Sequence, residues 1–370
     1  MRVKLSEITK YSKGTQINGD DLIEDGKYIY LNGGINPSGR WNSSNVCGNT
    51  VTISEGGNSS GYVNYMNEPF WCGAHCYYLY DGPRNSRYLY YALKSQQDRL
   101  FSMRSGACMP NIKKSDLGNF ELEFEPDERR QEKIVEILLK TESVIIGREK
   151  ELNLLDDLIK ARFVELFGDL MENPLGWPVM TIADVSTFLK SGLSRKLSDD
   201  DIGLPVIRSG NIQYGQFIFD DVKYWYVDDP QGANTKDYIL DDGDVLVNFI
   251  NSASQIGKTA IYRDTGRDCI YTTNIFRMKL AENCDEYYFN WFAMSDYYYR
   301  HLQNIIQPAV NQASFTTVNF LKLPIPLPTK EKQGEFADFV KQVDKSKVVV
   351  KKSLDEAKLL FDSLMQNYFG

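Results

Sequence analysis

The sequence has little of what marks a membrane protein, a secreted protein or an enzyme built on histidine chemistry. No apolar run approaches the roughly 18 residues that a membrane-spanning helix needs, and the first residues, Met1 to Glu7, contain no apolar secretion signal. Six cysteines are scattered over 370 residues, which is typical of reduced thiols rather than a disulfide framework. Two histidines, His75 and His301, leave little material for catalysis. We therefore expect a soluble, cytoplasmic protein without membrane contact.

Loops that carry methyl-transfer or nucleotide chemistry are also missing. An adenine methyltransferase needs a loop such as Asn-Pro-Pro-Tyr for the flipped base. The nearest matches, Asn36-Pro37-Ser38 and Asn173-Pro174-Leu175, lack the second proline and the aromatic residue. Ile256-Gly257-Lys258-Thr259 is like the end of a P-loop, but Ser252 stands where its first glycine is required. We interpret all three as turns, and we expect neither an enzymatic activity nor a cofactor.

A group of potential metal ligands, Cys72, His75 and Cys76, follows Cys47 in the sequence. One such cluster without a second paired set is a weak signal for zinc. A packed β-rich core is the better interpretation of these residues, so we predict no metal site.

The charge balance restricts how the chain could bind nucleic acid. A net charge of −8 argues against general attraction to phosphates, which supplies most non-specific affinity. Residues 169–326 carry 20 acidic and 13 basic side chains. Runs such as Asp199-Asp200-Asp201 and Asp241-Asp242-Gly243-Asp244 are interpreted as solvated turns. DNA binding remains compatible with this balance if partner subunits supply part of the positive charge.

Two segments, residues 126–168 and 327–370, have apolar residues at coiled-coil spacing. The first follows Pro126 and ends at Gly168, a residue suited to a left-handed C-cap. An offset of 202 residues carries Pro126 onto Pro328 and Gln131 onto Gln333 without a gap. Any two amphipathic helices share heptads, but the agreement of these polar and proline landmarks favours a true repeat. The predicted coiled-coil stripe consists of Ile134, Leu138, Ile145, Leu152, Leu155 and Ile159 in the first segment and Phe336, Val340, Val343, Val350, Leu354 and Phe361 in the second.

The segments before these helices also repeat. The matched pairs are residues 5–8 with 182–185, residues 28–35 with 205–212, and residues 50–53 with 244–247. Short β runs broken by Gly, Asn, Asp and Pro predict irregular β-rich domains at residues 1–125 and 169–326. The predicted fold class is therefore α/β (α+β): two β-rich domains in tandem, each followed by a long helix. Since each apolar stripe must be buried, we expect the helices to form an antiparallel coiled coil with pseudo-two-fold symmetry.

The ends of the two β-rich domains carry the most distinctive motifs. Ser105-Gly106-Ala107-Cys108-Met109-Pro110-Asn111-Ile112 leads to Phe124-Glu125-Pro126, and Asn311-Gln312 leads to Leu323-Pro324-Ile325-Pro326-Leu327-Pro328. These features resemble the target-recognition domains of type I restriction–modification specificity subunits, and the resemblance covers essentially the whole chain. The first copy departs from the family pattern, because Leu122-Glu123-Phe124-Glu125 replaces the proline-rich run.

The resemblance implies a function without catalysis. Each domain would read one half of a bipartite site on double-stranded DNA in the major groove, and the paired helices would fix the gap between the halves. Two methyltransferase (modification) subunits would dock on the helices, and two restriction/translocase subunits could join them. The sequence that is read, and the presence of a restriction subunit, stay open.

Residues suited to reading DNA are those with paired donors and acceptors on exposed loops. An ordinary polar surface loop is the alternative interpretation of each group. In the first domain the candidates are Arg40, Trp41, Asn42 and Asn45, together with Asn58, Ser59 and Ser60 in a glycine-rich loop. In the second domain they are Arg208, Ser209, Asn211, Gln213, Asn248, Asn251, Ser252, Ser254, Gln255 and Lys258, with Lys190, Arg195 and Lys196 as candidate phosphate contacts.

Two other classes of function were weighed against this one. A stand-alone DNA methyltransferase or nuclease is disfavoured because no catalytic loop is present. A coiled-coil protein-interaction scaffold is kept open by the acidic balance, and it predicts no sequence-selective DNA binding even with partner subunits.

Overall fold

The computed structural model describes residues 1–106, 110–213, 215–308 and 312–370. The motif residues Ala107, Cys108, Met109 and Asn311 lie outside the described residues. The chain forms two compact units. Unit 1 combines residues 1–150 with residues 350–370, and unit 2 consists of residues 151–349. Each unit therefore contains one β-rich domain and about half of each long helix.

The β-rich domain of unit 1 is built on a four-stranded antiparallel sheet beside a three-stranded sheet. The four-stranded sheet has the order Lys10–Lys13, Cys76–Tyr80, Thr50–Ser54 and Val63–Met66, and the three-stranded sheet has the order Gly39–Trp41, Tyr28–Leu31 and Phe70–Cys72. A further pair joins Arg2–Lys4 to Glu121–Glu123. The helices are Leu5–Ile8, Ser86–Lys94, Gln97–Ser102 and Lys114–Gly118, with a 3₁₀ turn at Gly19–Asp21.

The β-rich domain of unit 2 has the same strand order in its corresponding sheets. The four-stranded sheet runs Ser186–Ser191, Ile275–Leu280, Val245–Asn248 and Thr259–Ile261, and the three-stranded sheet runs Lys223–Trp225, Leu204–Ile207 and Ile270–Tyr271. Val179–Thr181 pairs with Pro324–Pro326. Additional strands are Ile212–Gln213, Gln216–Phe217, Ile250–Asn251, Gln307–Pro308 and Ala313–Ser314. The helices are Glu286–Phe292, Asp296–Gln303 and Thr317–Leu321, with 3₁₀ turns Ile182–Val185, Ser209–Asn211 and Thr235–Tyr238.

The two domains are thus copies of one topology, and the fold class predicted from the sequence is confirmed. The parallel pairing within the three-stranded sheet is present in both, between Tyr28–Leu31 and Phe70–Cys72 and between Leu204–Ile207 and Ile270–Tyr271. The departure of the first copy from the proline-rich run does not alter its strand. Glu121–Glu123 pairs with the start of its domain as Pro324–Pro326 does in the second copy.

The first long helix (Glu128–Phe167) and the second long helix (Lys330–Phe369) pack together in antiparallel fashion within each unit. In unit 1, Lys358 forms an ion pair with Glu149 at 2.8 Å. In unit 2, Lys347 pairs with Asp156 and Arg162 with Glu335. Residue numbers rise along one helix as they fall along the other, which is the signature of the antiparallel arrangement.

The predicted stripe supplies much of the buried surface of both helices. In unit 1, Leu138 is completely buried against the domain core. In unit 2, Phe163 and Phe167 pack their rings on Phe336. The buried stripe residues are Ile134, Leu138, Ile159, Phe336, Val340, Val343, Val350 and Leu354, whereas Ile145, Leu152, Leu155 and Phe361 are partly buried. Each helix is therefore held by its apolar face, as its period requires.

The repeated glutamines and Gly168 have clear roles at the helix ends. Gln131 donates its amide hydrogen to the carbonyl of Glu125 at 2.6 Å, and Gln333 donates to the carbonyl of Pro328 at 2.8 Å. Both glutamine side chains are buried, and each forms a hydrogen bond with a backbone carbonyl just before its helix. Gly168 has φ of 74°, the left-handed conformation expected of a helix-terminating glycine.

One prediction about the acidic runs is wrong. Asp244 is buried, and its carboxylate accepts a hydrogen bond from Arg277 at 2.6 Å. Arg277 also pairs with Asp241, which binds Lys279 as well. The sequence pattern predicts a solvated turn because the charged partners come from a strand more than thirty residues away.

In the residues described, no helix combines the length and apolar character needed to span a membrane.

Candidate nucleic-acid interface

In unit 1, several loops meet where the strands of the four-stranded sheet end. The amide of Glu55 donates to the carbonyl of His75 at 2.8 Å, and the amide of Gly57 donates to that of Pro110 at 2.9 Å. The buried Ser54 hydroxyl donates to the carbonyl of Gly33. These bonds gather residues 32–34, 55–61, 73–75 and 110–112, which we call the first loop cluster. Burial raises the pKa of Tyr77, whose hydroxyl donates to the carbonyl of Ile112 beneath this cluster, to about 12.

Unit 2 contains an equivalent set of loops. The amide of Phe249 donates to the carbonyl of Asn274 at 3.1 Å, as Glu55 does to His75. The buried Asn248 side chain donates to the carbonyl of Ser209 at 3.2 Å, as Ser54 does to Gly33. We call residues 208–213, 249–258, 272–274 and 313–315 the second loop cluster. The same scaffold therefore holds two sets of loops whose side chains differ.

Glycines close the central loop of each cluster, residues 55–61 in the first and residues 249–258 in the second, in the same way. Gly61 has φ of 85° and Gly257 has φ of 81°. The amide of Gly61 donates to the carbonyl of Ser54 at 2.8 Å, and the amide of Gly257 to that of Asn248 at 2.7 Å. A left-handed residue is needed at this return, so both glycines serve the backbone. The part of this loop before its glycine is two residues longer in the second cluster, at residues 249–256, than in the first, at residues 55–60.

The candidates at residues 40–45 belong to the strand Gly39–Trp41 and the segment after it. Arg40 donates from Nε and Nη2 to the carbonyls of Gly26 and Lys27. Asn45 is tied through both amide atoms to the backbone of Cys72. Trp41 is partly buried and Asn42 is exposed. Arg40, Asn42 and Asn45 are all exposed, but the side chains of Arg40 and Asn45 also hold the backbone of other segments of their domain.

Three candidates fall in the loop 55–61, and they differ in exposure. Asn58 is exposed. The hydroxyl of Ser59 donates to the carbonyl of Gly33 at 2.6 Å. Ser60 is fully buried and its hydroxyl donates to the carbonyl of Glu55 at 2.8 Å. The structure therefore brings Asn58 to the surface and uses both serines to hold the loop.

The candidates after the strand Leu204–Ile207 are also divided between surface and scaffold. Asn211 is buried and donates to the carbonyls of Ile218 and Asp220, both at 2.9 Å. Arg208 is partly exposed and pairs with Asp221 at 2.7 Å. Gln213 is exposed, and Ser209 offers its carbonyl to Asn248. Arg208 and Gln213 are thus the members of this group with side chains at the surface.

The loop 249–258 of the second cluster presents several polar side chains together. Ser252 and Ser254 are exposed, with their hydroxyl oxygens 3.3 Å apart. Asn251 accepts from the amide of Ser252 at 2.8 Å, and Gln255 and Lys258 are partly exposed. Asn248 is fully buried, so it anchors the loop rather than facing outward.

Of the three candidate phosphate contacts, Arg195 is engaged inside its own domain. Its guanidinium pairs with Asp229 at 2.6 Å, and Asp229 also accepts from the indole of Trp225. This hydrogen bond from Arg195 lowers the pKa of the Asp229 carboxyl well below its ordinary value. Lys190 lies 4.0 Å from the ring centroid of Tyr238, and Lys196 is exposed.

Sequence reasoning missed three side chains that the loop clusters bring forward. Lys13 and His75 flank Glu55 in the first cluster, at 2.7 and 3.3 Å from its carboxylate oxygens. Asn274 occupies the position in the second cluster that His75 has in the first. The feature that His75 and Asn274 share is their position after the last strand of a three-stranded sheet. That position can be recognised only when the strand pairing is known.

The exposed groups of both clusters are amides, hydroxyls, an imidazole and cations. Such groups form hydrogen bonds with base edges and phosphates. Within the part of the chain that the structure describes, no group of three or more His, Cys, Asp or Glu side chains is arranged to hold a metal ion.

Comparison with known proteins identifies the family. The type I restriction modification DNA specificity domain matches residues 1–155 and again residues 174–358. The chain belongs to this family of type I specificity domains, with one copy of the domain in each half.

Individual relatives agree with this assignment. The chain is 27% identical over 202 residues to a Methanocaldococcus jannaschii protein provisionally named the MjaX type I restriction enzyme specificity subunit. It is 40% identical over 116 residues to a provisionally named type I specificity subunit of Mycoplasma pneumoniae. The alignments cover 54% and 30% of this chain but 47% and 31% of the relatives, so the chain matches about half of their length or less.

A solved structure extends the likeness in fold to the whole chain. The crystal structure of the type I restriction–modification S subunit from Mycoplasma genitalium superposes with a TM-score of 0.67 at 20% identity. The superposition covers 100% of this chain and 96% of that one. At this identity the likeness is one of fold.

Proposed function

We propose that this chain is the DNA-reading subunit of a type I restriction–modification complex and has no catalytic activity of its own. Each β-rich domain reads one half of a bipartite site on double-stranded DNA. The observation that carries the proposal is the repetition of one scaffold with different polar side chains on its two loop clusters. A repeated scaffold with altered contacts is what two unlike half-sites require, since base-edge contacts determine specificity.

The proposed reading surface consists of the sequence-predicted candidates in the two loop clusters that are exposed or partly exposed, Ser59 and Ser209 excepted. They are Asn58 in the first cluster and Arg208, Gln213, Asn251, Ser252, Ser254, Gln255 and Lys258 in the second. Asn42 and Lys196 are proposed as contacts at the margins of this surface. Ser60, Asn211, Asn248 and Arg195 are left out because burial or an internal ion pair occupies them.

The partners we propose are modification (methyltransferase) and restriction/translocase subunits, two of each. Two equivalent domain-and-helix sets offer two equivalent docking surfaces, which favours paired subunits. The long helices also expose apolar side chains: Ile146 is 64% exposed and Val348, Val349 and Leu359 are each 69% exposed. Exposed apolar side chains on a folded helix are the kind of surface that partner proteins bury. The proposed complex acts on DNA in the cytoplasm.

The net charge agrees with shared DNA binding. Several cations of unit 2 are held in ion pairs, including Arg277 with Asp244 and Arg267 with Asp201. With a net charge of −8 the chain has little phosphate attraction of its own. We therefore expect tight DNA binding only after modification subunits have joined.

Co-expression with modification subunits and mapping of methylated adenines across the host genome tests the proposal. The expected result is a split motif with a fixed gap, lost when this chain is omitted. A stable complex that methylates no motif would favour the scaffold function instead, and failure to form any complex would contradict the proposed partners. Methyl transfer from S-adenosylmethionine by the purified chain alone would contradict the absence of catalysis.

A further inference from the structure

The turn after the last strand of the three-stranded sheet has several backbone hydrogen bonds in common in the two domains. The amide of Gly73 donates to the carbonyl of Leu31 at 2.8 Å, and the amide of Thr272 donates to that of Ile207 at 3.0 Å. Two residues farther on, the carbonyls of His75 and Asn274 accept from Glu55 and Phe249 at the start of each central loop. His75 and Asn274 thus hold the same backbone position beside the proposed reading loops, but they carry different side chains.

The imidazole of His75 is oriented by its neighbours. Its Nδ1 lies 3.3 Å from one carboxylate oxygen of Glu55, and the other oxygen accepts from Lys13 at 2.7 Å. A carboxylate beside Nδ1 favours the tautomer that carries its hydrogen there, which leaves Nε2 as an acceptor. The side chain is 60% exposed, so Nε2 is accessible from solvent.

The backbone of Asn274 is held by two hydrogen bonds. Its carbonyl accepts from the amides of Phe249 and Ile250 at 3.1 and 3.4 Å, which fixes the residue against the loop 249–258. Its side-chain amide has no hydrogen-bond partner among the described residues, and the residue is partly exposed. An asparagine amide offers the donor and acceptor pair that matches the major-groove edge of adenine.

We infer that His75 and Asn274 are specificity-determining residues, one for each half-site, that contact base edges from equivalent turns. Asn274 contacts an adenine through its amide, and His75 contacts a base amino group through Nε2. Glu55 and Lys13 are positioning residues, because Glu55 holds the imidazole and Lys13 holds Glu55. The inference rests on the proposed function and names two residues that decide which sequences are read.

The test uses the full chain in complex with modification subunits and compares the methylated motif for His75→Asn and Asn274→Ala. We expect His75→Asn to change or relax one position of one half-site while the other half stays as in the wild type. Asn274→Ala should relax one position in the opposite half. Loss of one good base contact reduces discrimination at that position by between about 5-fold and about 150-fold.

Controls separate reading from folding. Asn283→Ala removes an exposed asparagine outside the loop clusters, whose side chain donates to the carbonyl of Asp184 at 3.3 Å, and it should leave the motif unchanged. His75→Gln provides a second variant if His75→Asn is unstable, and thermal melting of each complex reports folding.

The outcomes distinguish this inference from the proposed function. If the wild-type complex produces no bipartite motif, the proposed function itself fails. If the wild-type motif is bipartite and both folded variants keep it unchanged, the inference about His75 and Asn274 is overturned alone. A uniform loss of methylation at all sites would make these residues phosphate contacts, which also overturns it.

Discussion

Arg195 shows how a residue suited to phosphate binding can belong to the fold. Its bidentate pairing with Asp229 is almost closed to solvent, and Asp229 further accepts from the amides of Gln231 and Ala233. A sequence pattern cannot distinguish an arginine that binds phosphate from one that pairs within the fold, since the partner Asp229 lies more than thirty residues from Arg195. Burial and pairing decide the question in favour of a structural role.

The Asp229 pair predicts a defined dependence of stability on pH. The pKa of this carboxyl is lowered by Arg195, so the pair contributes stability above the ordinary value of 3.8 and loses it as pH falls through the folded-state pKa. Asp229→Asn should therefore lower the melting temperature at neutral pH by several degrees, and the deficit should narrow below about pH 4. Thermal melting at a series of pH values measures both.

Asp228→Asn is the matched control, because Asp228 is exposed and precedes the same loop. It should change the melting temperature little at any pH. A deficit of Asp229→Asn that stays constant down to pH 3 would mean that the ionised carboxylate is not the source of the stability.

The long helices can be predicted from the sequence, whereas the exposure of the loop residues cannot. Heptad spacing and the repeated Pro and Gln residues extend over many residues, so the sequence predicts both helices. The matching of residues 50–53 with 244–247 agrees with the structural equivalence of Ser54 and Asn248. The matching of residues 28–35 with 205–212 is wrong by one residue, because the structure aligns Gly33 with Ser209 and not with Gly210.

That one-residue error has a physical cause. Sequence reasoning aligned the glycines, whereas the structure aligns the carbonyls that receive the buried Ser54 and Asn248 side chains. For the same reason, the sequence does not predict that the side chains of Ser60 and Asn211 are buried. Exposure within a loop depends on bonds to other loops, which no local pattern encodes.

At the scale of the helices, the buried stripe predicts large effects on stability. Leu138→Ala deletes a fully buried side chain that packs against the core of the first domain. The loss in free energy of unfolding should be about 2–5 kcal/mol, from lost burial and the remaining cavity. Ile146→Ala, at a position 64% exposed on the same helix, should cost under about 0.5 kcal/mol. Urea denaturation compares them, and equal effects would contradict the assigned helix face.

Substitutions of the exposed apolar side chains of the helices should affect partner binding and not the stability of the free chain. Val348→Asp combined with Val349→Asp places charges where two valines are each 69% exposed. Binding of modification subunits should weaken by roughly 10-fold or more, since charges are costly in an interface core, while the melting temperature of the free chain stays nearly unchanged. Lys345→Asp, an exposed change on the same helix, tests whether charge alone causes the loss. Undiminished binding by the double variant would place the docking surface elsewhere.

At the scale of the whole molecule, the repeat provides two proposed DNA-reading domains and one pair of helices. Each helix supplies residues to both compact units, with divisions after Lys150 and after Val349. If the helices set the gap between half-sites, as the resemblance to the family implies, the gap depends on helix length and the half-sites depend on the loop clusters. The two properties should therefore vary independently.

Insertion of one heptad into each helix, after Lys150 and after Val349, tests that independence. Seven residues lengthen a helix by about 10 Å, or roughly three base pairs of DNA, and preserve the apolar stripe. Adenine mapping should show unchanged half-sites separated by a gap about three base pairs longer. Insertion of three residues, which breaks the heptad register, should instead abolish the stable fold. Altered half-sites with an unchanged gap would mean that the helices do not set the spacing.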